Sequence, residues 1–209
     1  MKKIKIAKLL SIIVGLCGII VILGWIFDIG ILKGIMPGWI TMKFSTAFCF
    51  LLSGITIYLI ARSQERSSHI GQIILSITSS IILLIMGTFL ASSFLGTKLG
   101  LDEAFIRDIQ AASVKNWIPG RPSIATMIEF VLIAIAGILA ILNLENLKIK
   151  LLYLGWSIFL IGGLAFFGYL IRVPLLYYDI KRYTNPMAFH TSILFVLRGI
   201  SLILLGRRR

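Results

Sequence analysis

The chain has 209 residues, of which 58% are hydrophobic and only 14% are charged. A soluble domain carries about 25% charged residues to keep its surface wet, so this composition excludes an ordinary soluble protein. The formal net charge of +13 is explained by basic loops facing anionic lipid headgroups. We therefore expect an integral membrane protein that contacts the lipid bilayer and has no nucleic acid partner.

The first apolar run follows a basic start, Met1-Lys2-Lys3-Ile4-Lys5, which is also typical of a secretory signal. However, residues 9–27 carry no charge, and this run is too long for a signal-peptide core and lacks a small-x-small cleavage site. It predicts a retained transmembrane helix. The two cysteines, Cys17 and Cys49, lie inside apolar runs without metal-ligand spacing, so we interpret them as small buried hydrophobic residues.

Five further runs have the length of about 20 mostly apolar residues that a membrane-spanning helix needs. None alternates in polarity as the strands of a membrane barrel would. The sequence thus predicts an all-α polytopic membrane protein, with residues 1–209 forming a single transmembrane domain. The six predicted spans are residues 9–27, 43–61, 70–95, 123–143, 151–171 and 187–206.

The orientation is predicted from the lysines and arginines of the loops, which are enriched on the cytoplasmic side. With the N-terminus inside, the two faces carry similar numbers of them, but several of the outer ones belong to the long loop 96–122, which this rule weights lightly. The inner connections are short and both ends of the chain are basic. We expect a multi-pass protein of the plasma (inner) membrane with both termini in the cytoplasm.

The long outer loop 96–122 has a helical pattern of its own. Leu101, Phe105 and Ile109 recur at helical spacing, while acidic and basic residues lie mostly elsewhere around the wheel. This pattern predicts a short amphipathic helix on the outer membrane surface, followed by Trp117 at the headgroup level. The helix could cover a cavity among the spans or serve as a simple connector.

The even-numbered spans share the pattern T-x3-F-x3-G, with alanine replacing glycine in the fourth span. Each copy follows a loop that contains proline, so we predict three tandem helical hairpins related by duplication. Spacings of four and eight residues place the three side chains on one helical face, where a small residue lets neighbouring backbones approach. The threonines are candidates for packing or, alternatively, for lining a ligand site. The copies are Thr46, Phe50 and Gly54; Thr126, Phe130 and Ala134; and Thr191, Phe195 and Gly199.

Two charged residues fall inside predicted spans, Glu129 in the fourth and Arg198 in the sixth. Charges at membrane depth are costly and often functional. A rise of 1.5 Å per residue places their depths about 7 Å apart, within the reach of an arginine. We therefore hypothesise that they pair inside the bundle, either to lock helix packing or as a ligand- or proton-responsive pair.

His190 stands at the outer end of the sixth span, and the other histidine, His69, at the inner edge of the third. Predicted at opposite membrane faces, they cannot ligate one metal or haem, so we expect no cofactor and no metal. His190 is interpreted as an interfacial residue bonded to the adjacent loop, or as a ligand- or pH-responsive group. No nucleophile motif or paired intramembrane carboxylate is present, so an enzyme is not expected.

Three motifs carry a resemblance to a known family. Residues 37–43 (PGWITMK) lead into Thr46 and Phe50, residues 119–123 (PGRPS) precede span four, and residues 187–191 (MAFHT) enter span six. Over about residues 20–206 the chain resembles the polytopic N-terminal membrane sensor region of prokaryotic histidine kinases and diguanylate cyclases. It departs from that pattern at Ser45 and Ala125, where the family usually has asparagine.

The resemblance implies a membrane-embedded sensory or input domain. The sequence ends at Arg207-Arg208-Arg209, just past the last span, so we expect a stand-alone domain that signals to a separate partner. That partner would be a membrane histidine kinase or cyclase, or a second copy of the chain. The alternatives are a small transporter or channel component and an accessory subunit of a membrane complex.

Overall fold

The computed structural model describes residues 2–36, 39–66, 68–97, 119–180 and 184–207. Six of its helices are long and apolar enough to cross a membrane, which confirms the predicted all-α, multi-pass fold. Two short elements, α2 (Gly30–Lys33) and a 3-10 helix (Pro174–Tyr177), follow the first and fifth spans. The six long helices are α1 (Lys2–Ile26), α3 (Phe44–Ser63), α4 (His69–Leu95), α5 (Ile124–Ile141), α6 (Leu147–Leu170) and α7 (Phe189–Gly206).

The predicted spans and the observed helices differ most at α1, which begins at Lys2 rather than at residue 9. Charged residues lower the hydropathy of its first two turns without interrupting the helix, because lysine side chains can extend away from the apolar core. The other boundaries agree within a few residues. The amphipathic helix predicted in loop 96–122 falls mainly on residues 98–118, which lie outside the described residues.

The six spans pack as three helical hairpins. The most extensive interhelical contacts join consecutive spans: α1 with α3, α4 with α5, and α6 with α7. Further contacts of α3 with α4, α5 with α6 and α7 with α1 join each hairpin to the next. The three hairpins therefore close into a ring, and every junction pairs the second helix of one hairpin with the first helix of the next.

The second helix of each hairpin lies on the inside of this ring. Between 50 and 72% of the most apolar stretch is buried in α3, α5 and α7, compared with 33 to 39% in α1, α4 and α6. Large apolar side chains such as Leu84 and Leu160 point outward from the outer helices. The outer helices thus supply the apolar surface that a bilayer requires, and the inner helices build the core.

Glycines permit the close crossings within the hairpins. A methyl group added at Gly18 of α1 would come within 2.7 Å of the Ala47 carbonyl oxygen of α3, and one at Gly199 of α7 within 2.6 Å of the Phe159 backbone of α6. Membrane helices gain no hydrophobic driving force from associating in lipid, so such backbone approaches contribute much of the packing energy.

The two ends of the bundle are named here by what they carry. The terminal face holds the described chain ends, with Lys3 and Arg207 lining one cavity. The loop face, at the opposite end of the helices, holds the loop residues Trp39, Arg121 and Asn185. On this face Asn185 Nδ2 donates to the Arg121 carbonyl oxygen at 2.6 Å and thereby connects the second and third hairpins.

Candidate functional site

Three phenylalanines meet on the axis of the bundle. Phe50 of α3, Phe130 of α5 and Phe195 of α7 are each fully buried. Their ring centroids form a nearly equilateral triangle with separations of 4.8, 4.8 and 4.9 Å, in edge-to-face and tilted geometries that favour aromatic contact. We call these residues the phenylalanine triangle. The position shared by the T-x3-F-x3-G pattern therefore forms the central contact between the three hairpins.

The three candidate threonines lie one helical turn before the triangle, toward the loop face. Thr46, Thr126 and Thr191 are all buried near the start of an inner helix. At the start of α5, the Thr126 amide donates to Ser123 Oγ at 3.1 Å, which is an N-cap bond. All three threonines therefore belong to the buried interior near the loop face, and their role in packing or in ligand binding stays a prediction.

The loops of the first and third hairpins are held by equivalent hydrogen bonds. Trp25 Nε1 donates to the Met42 carbonyl oxygen at 2.9 Å, and Tyr169 Oη donates to the Met187 carbonyl oxygen at 2.6 Å. In both loops the amide of that methionine donates back to the end of the short helix, to Lys33 or Tyr177, at 2.9 Å. The corresponding positions thus have the same local structure in these two hairpins.

Arg198 is fully buried at the junction of α7 with the first hairpin. Its Nη2 donates to the Phe50 carbonyl oxygen at 3.2 Å, and a methyl group at Gly54 would lie 3.2 Å from the same nitrogen. Among the described residues, Nε and Nη1 have no hydrogen-bond partner. The arginine is therefore held in a space that a glycine keeps open, with most of its donors unused.

Glu129 is fully buried at the junction of α5 with the third hairpin. A methyl group at Gly162 of α6 would lie 3.2 Å from its Oε1, and neither carboxyl oxygen has a hydrogen-bond partner in the described part of the chain. Tyr178, at the end of the 3-10 helix, lies within its electrostatic reach. Burial, reinforced by the nearby Glu129, raises the pKa of Tyr178 to about 12.

The expected ion pair between Glu129 and Arg198 is not formed: the ion pairs of the described residues do not include it. The ring arrangement gives the reason. The glutamate lies one residue before its phenylalanine and the arginine three residues after its own, so both occupy the same side of their helices. In a ring, that side faces the following hairpin, and the two charges point to different junctions.

His190 is the second residue of α7, at the loop face. Its Nε2 is buried without a hydrogen-bond partner among the described residues, and the predicted hydrogen bond of His190 to the adjacent loop stays a prediction. His69 is exposed at the start of α4, at the terminal face. The two histidines therefore lie at opposite ends of the bundle, as predicted, and within the described ranges no group of histidines, cysteines and acids is suited to a metal ion.

A cavity of about 860 Å³ opens at the terminal face, and we call it the vestibule. All three hairpins contribute to its wall. Its apolar lining includes Leu204 and Leu205. Ile57, Ile133 and Leu202, which lie along the inner helices between the vestibule and the phenylalanine triangle, are fully buried. The polar lining consists of Lys3, Ser63, Gln64, Gln72, Asn143, Asn146, Lys148 and Arg207.

The vestibule was not predicted from the sequence. Its lining residues stand at helix ends far apart in the chain, and only their placement on one predicted face linked them. The signal that could have identified it is the run of amides, Gln64, Gln72, Asn143 and Asn146, at the ends of spans on that face. A search for neutral polar residues beside the basic ones would have found it.

No protein-family model, curated protein or solved structure matches the chain. The similarity to membrane sensor regions of kinases and cyclases therefore stays a prediction based on three motifs.

Proposed function

We propose that the protein is a membrane-embedded sensory or input domain that transmits a signal to a separate partner by displacement of its hairpins. The observation that carries this proposal is the contrast along the axis. A vestibule opens at one face, and buried side chains fill the axis beyond it up to the phenylalanine triangle. Among the residues that the structure describes, a cavity at one end of an axis that is closed at the phenylalanine triangle suits a receptor better than a conduit.

The proposed movement uses the junctions between hairpins. Helix displacements of 1–2 Å at interfaces are a common way of transmitting a signal. Two of the three junctions contain a buried ionisable group with unused hydrogen-bonding atoms, Arg198 in one and Glu129 in the other. Because a buried polar group without a hydrogen-bond partner is costly, a shift that gives either group a new partner changes the energy of the whole ring. The two residues are thus proposed as the elements that make the junctions responsive.

The proposal also includes the duplication and the orientation. The identical loop bonds of the first and third hairpins, and the three phenylalanines at equivalent positions, support descent of the hairpins from one unit. The basic residues of the terminal face support its placement in the cytoplasm. In that orientation the vestibule is open to cytoplasmic ligands and partners.

Photocrosslinking in native membranes tests the proposal. A photoreactive residue replaces Glu145, which is exposed beside the vestibule, and a control variant carries it at Leu84, which is 70% exposed toward lipid. We expect mass spectrometry to identify a histidine kinase, a cyclase or a second copy of the chain from the Glu145 position and not from Leu84. Capture of none of these proteins, together with solute flux in proteoliposomes, would contradict it.

The alternative function is transport, and one observation favours it. Buried charged groups in membrane spans mark ion and proton pathways in many transporters. Glu129 and Arg198 meet that description. A transporter would bring these residues into contact with water from each side in turn, which the flux arm of the same experiment detects.

A further inference from the structure

The vestibule is walled by cationic side chains from two of the three hairpins. Lys3 lies in the first turn of α1, Lys148 in the first turn of α6, and Arg207 directly after α7. Neither Lys148 nor Arg207 forms an ion pair with another described residue. The second hairpin contributes the amides of Gln72 and Asn143, which can donate hydrogen bonds to an anion.

No acidic side chain lines this cavity among the described residues. The two acids nearest in sequence are Glu65 and Glu145. Glu65 pairs instead with Lys8, and Glu145 is exposed outside the lining. The positive charges of Lys148 and Arg207 are therefore not compensated by an acid of the described lining, and an occupant of negative charge would be attracted to them.

The helix dipoles do not account for the attraction of the vestibule for a negatively charged occupant. Three outer helices begin at the terminal face and three inner helices end there, so the positive and negative ends of the dipoles largely offset each other. The field in the vestibule is set by its side chains. Lysine and arginine with amide donors form a group suited to phosphate oxygens, since arginine binds them through a planar fork and lysine as a point charge.

The size of the cavity indicates more than a simple ion. A volume of about 860 Å³ falls in the range of 300–1,000 Å³ typical of small-molecule sites. Ile4, Leu204 and Leu205 supply apolar surface beneath the cations. An occupant with a phosphate group attached to an organic body fits both parts of the lining.

We infer that the vestibule is a binding site for a phosphate-bearing anion, either the headgroup of an anionic lipid or a soluble phosphorylated molecule. The inference deepens the proposed function by naming the ligand class of the same cavity. Binding of such a group would cross-connect the first and third hairpins at the terminal face and bias the junction that contains Arg198.

Two double variants of equal net charge separate this site from general attraction to anionic membranes. Lys148→Gln with Arg207→Gln removes two cations of the lining. Lys150→Gln with Arg66→Gln removes two cations of the same face that do not line the cavity. Each protein is placed in phosphatidylcholine nanodiscs, and its thermal unfolding midpoint is measured against increasing ATP in solution or increasing phosphatidylglycerol in the bilayer.

We expect at least one probe to raise the midpoint of the unmodified protein and of the Lys150/Arg66 variant. The apparent affinity of the Lys148/Arg207 variant should be about thirtyfold weaker, since each lost cation removes a direct hydrogen bond to the phosphate that accounts for about fivefold. A response to phosphatidylglycerol alone identifies a lipid headgroup, and a response to ATP identifies a soluble ligand. No shift with either probe, or equal weakening in both double variants, would overturn the inference. Because the isolated protein is measured, this result is independent of whether a signalling partner is captured.

Discussion

The centre of the bundle axis and its terminal face contrast in packing and in charge. At the centre, Phe50, Phe130 and Phe195 contact one another with no exposed surface. At the terminal face, the ends of the same helices separate around a cavity with basic and amide side chains. The three hairpins thus contact one another closely at the depth of the phenylalanine triangle and are separated by a cavity at the terminal face.

Disrupting the phenylalanine triangle should have the largest effect on stability. Phe130→Ala removes one side of the phenylalanine triangle and leaves a cavity, so we expect the free energy of unfolding in mixed micelles to fall by about 3–5 kcal/mol. Phe94→Ala is the matched control, because Phe94 is 76% exposed on α4. Equal losses for the two variants would contradict the assignment of the triangle as the central contact.

Overfilling a helix crossing should have the next largest effect. Gly199→Ala places a methyl group 2.6 Å from the Phe159 backbone, and we expect a loss of about 1–3 kcal/mol. Gly163→Ala adds the same methyl group where no atom lies within 4 Å, and should stabilise α6 by about 0.5–1 kcal/mol. Reversible unfolding measures the two changes in the free energy of unfolding, which should have opposite signs. A stabilising Gly199→Ala would contradict the close approach of α6 and α7 at this crossing.

The separation of the two buried charges is tested by a double-mutant cycle. Arg198→Met should be neutral or stabilising, because it replaces an incompletely bonded buried charge by an apolar side chain. Combined with Glu129→Gln, the two effects should add within about 0.5 kcal/mol, as expected for sites without contact. A larger coupling energy would indicate that Glu129 and Arg198 are in contact and would contradict their separation.

A cycle on Thr56 and Thr78 is the positive control, since their hydroxyls are 2.9 Å apart across α3 and α4. Replacing each by valine should reveal a coupling of about 0.6 kcal/mol, the average for hydrogen bonds between membrane helices. Finding no coupling here would make the first cycle uninformative about contact and would remove this bond from the account.

The smallest expected effect concerns pH at the terminal face. The hydrogen bond and charge of Lys8 hold the pKa of Glu65 below its ordinary value of 4.5. A lowered pKa means that the pair stabilises the fold above pH 4.5 and that this stabilisation is lost as pH falls through the pKa of the folded state. The small stability difference between the unmodified protein and Glu65→Gln should therefore vanish in acid. A stability difference that grows in acid would contradict this role of the Lys8–Glu65 pair.

The helices were predictable because lipid imposes a simple rule on sequence. Continuous apolar runs of about 20 residues indicated all six spans, and a proline-preceded T-x3-F-x3-G pattern indicated which faces meet. The helix faces that this pattern predicted to meet are in contact through the rings of Phe50, Phe130 and Phe195.

The partners of the buried ionisable side chains were not predictable from their depth in the membrane alone. Glu129 and Arg198 have compatible depths, but the direction in which each points depends on how the hairpins are arranged around the axis. That arrangement is a property of tertiary packing, and no spacing along one helix contains it. The vestibule was missed for the same reason, because its lining comes from six helix ends.

Site-specific thiol labelling tests most directly the central claim, an axis that is closed at the phenylalanine triangle and a vestibule that is open at the terminal face. In a background of Cys17→Ala and Cys49→Ala, single cysteines at Asn143 in the vestibule and at Thr126 on the loop side of the triangle are exposed to a membrane-impermeant maleimide from each side. The account predicts rapid labelling at position 143 from one side only and protection at position 126 from both sides. Labelling of position 126, or labelling of position 143 from both sides, would contradict it.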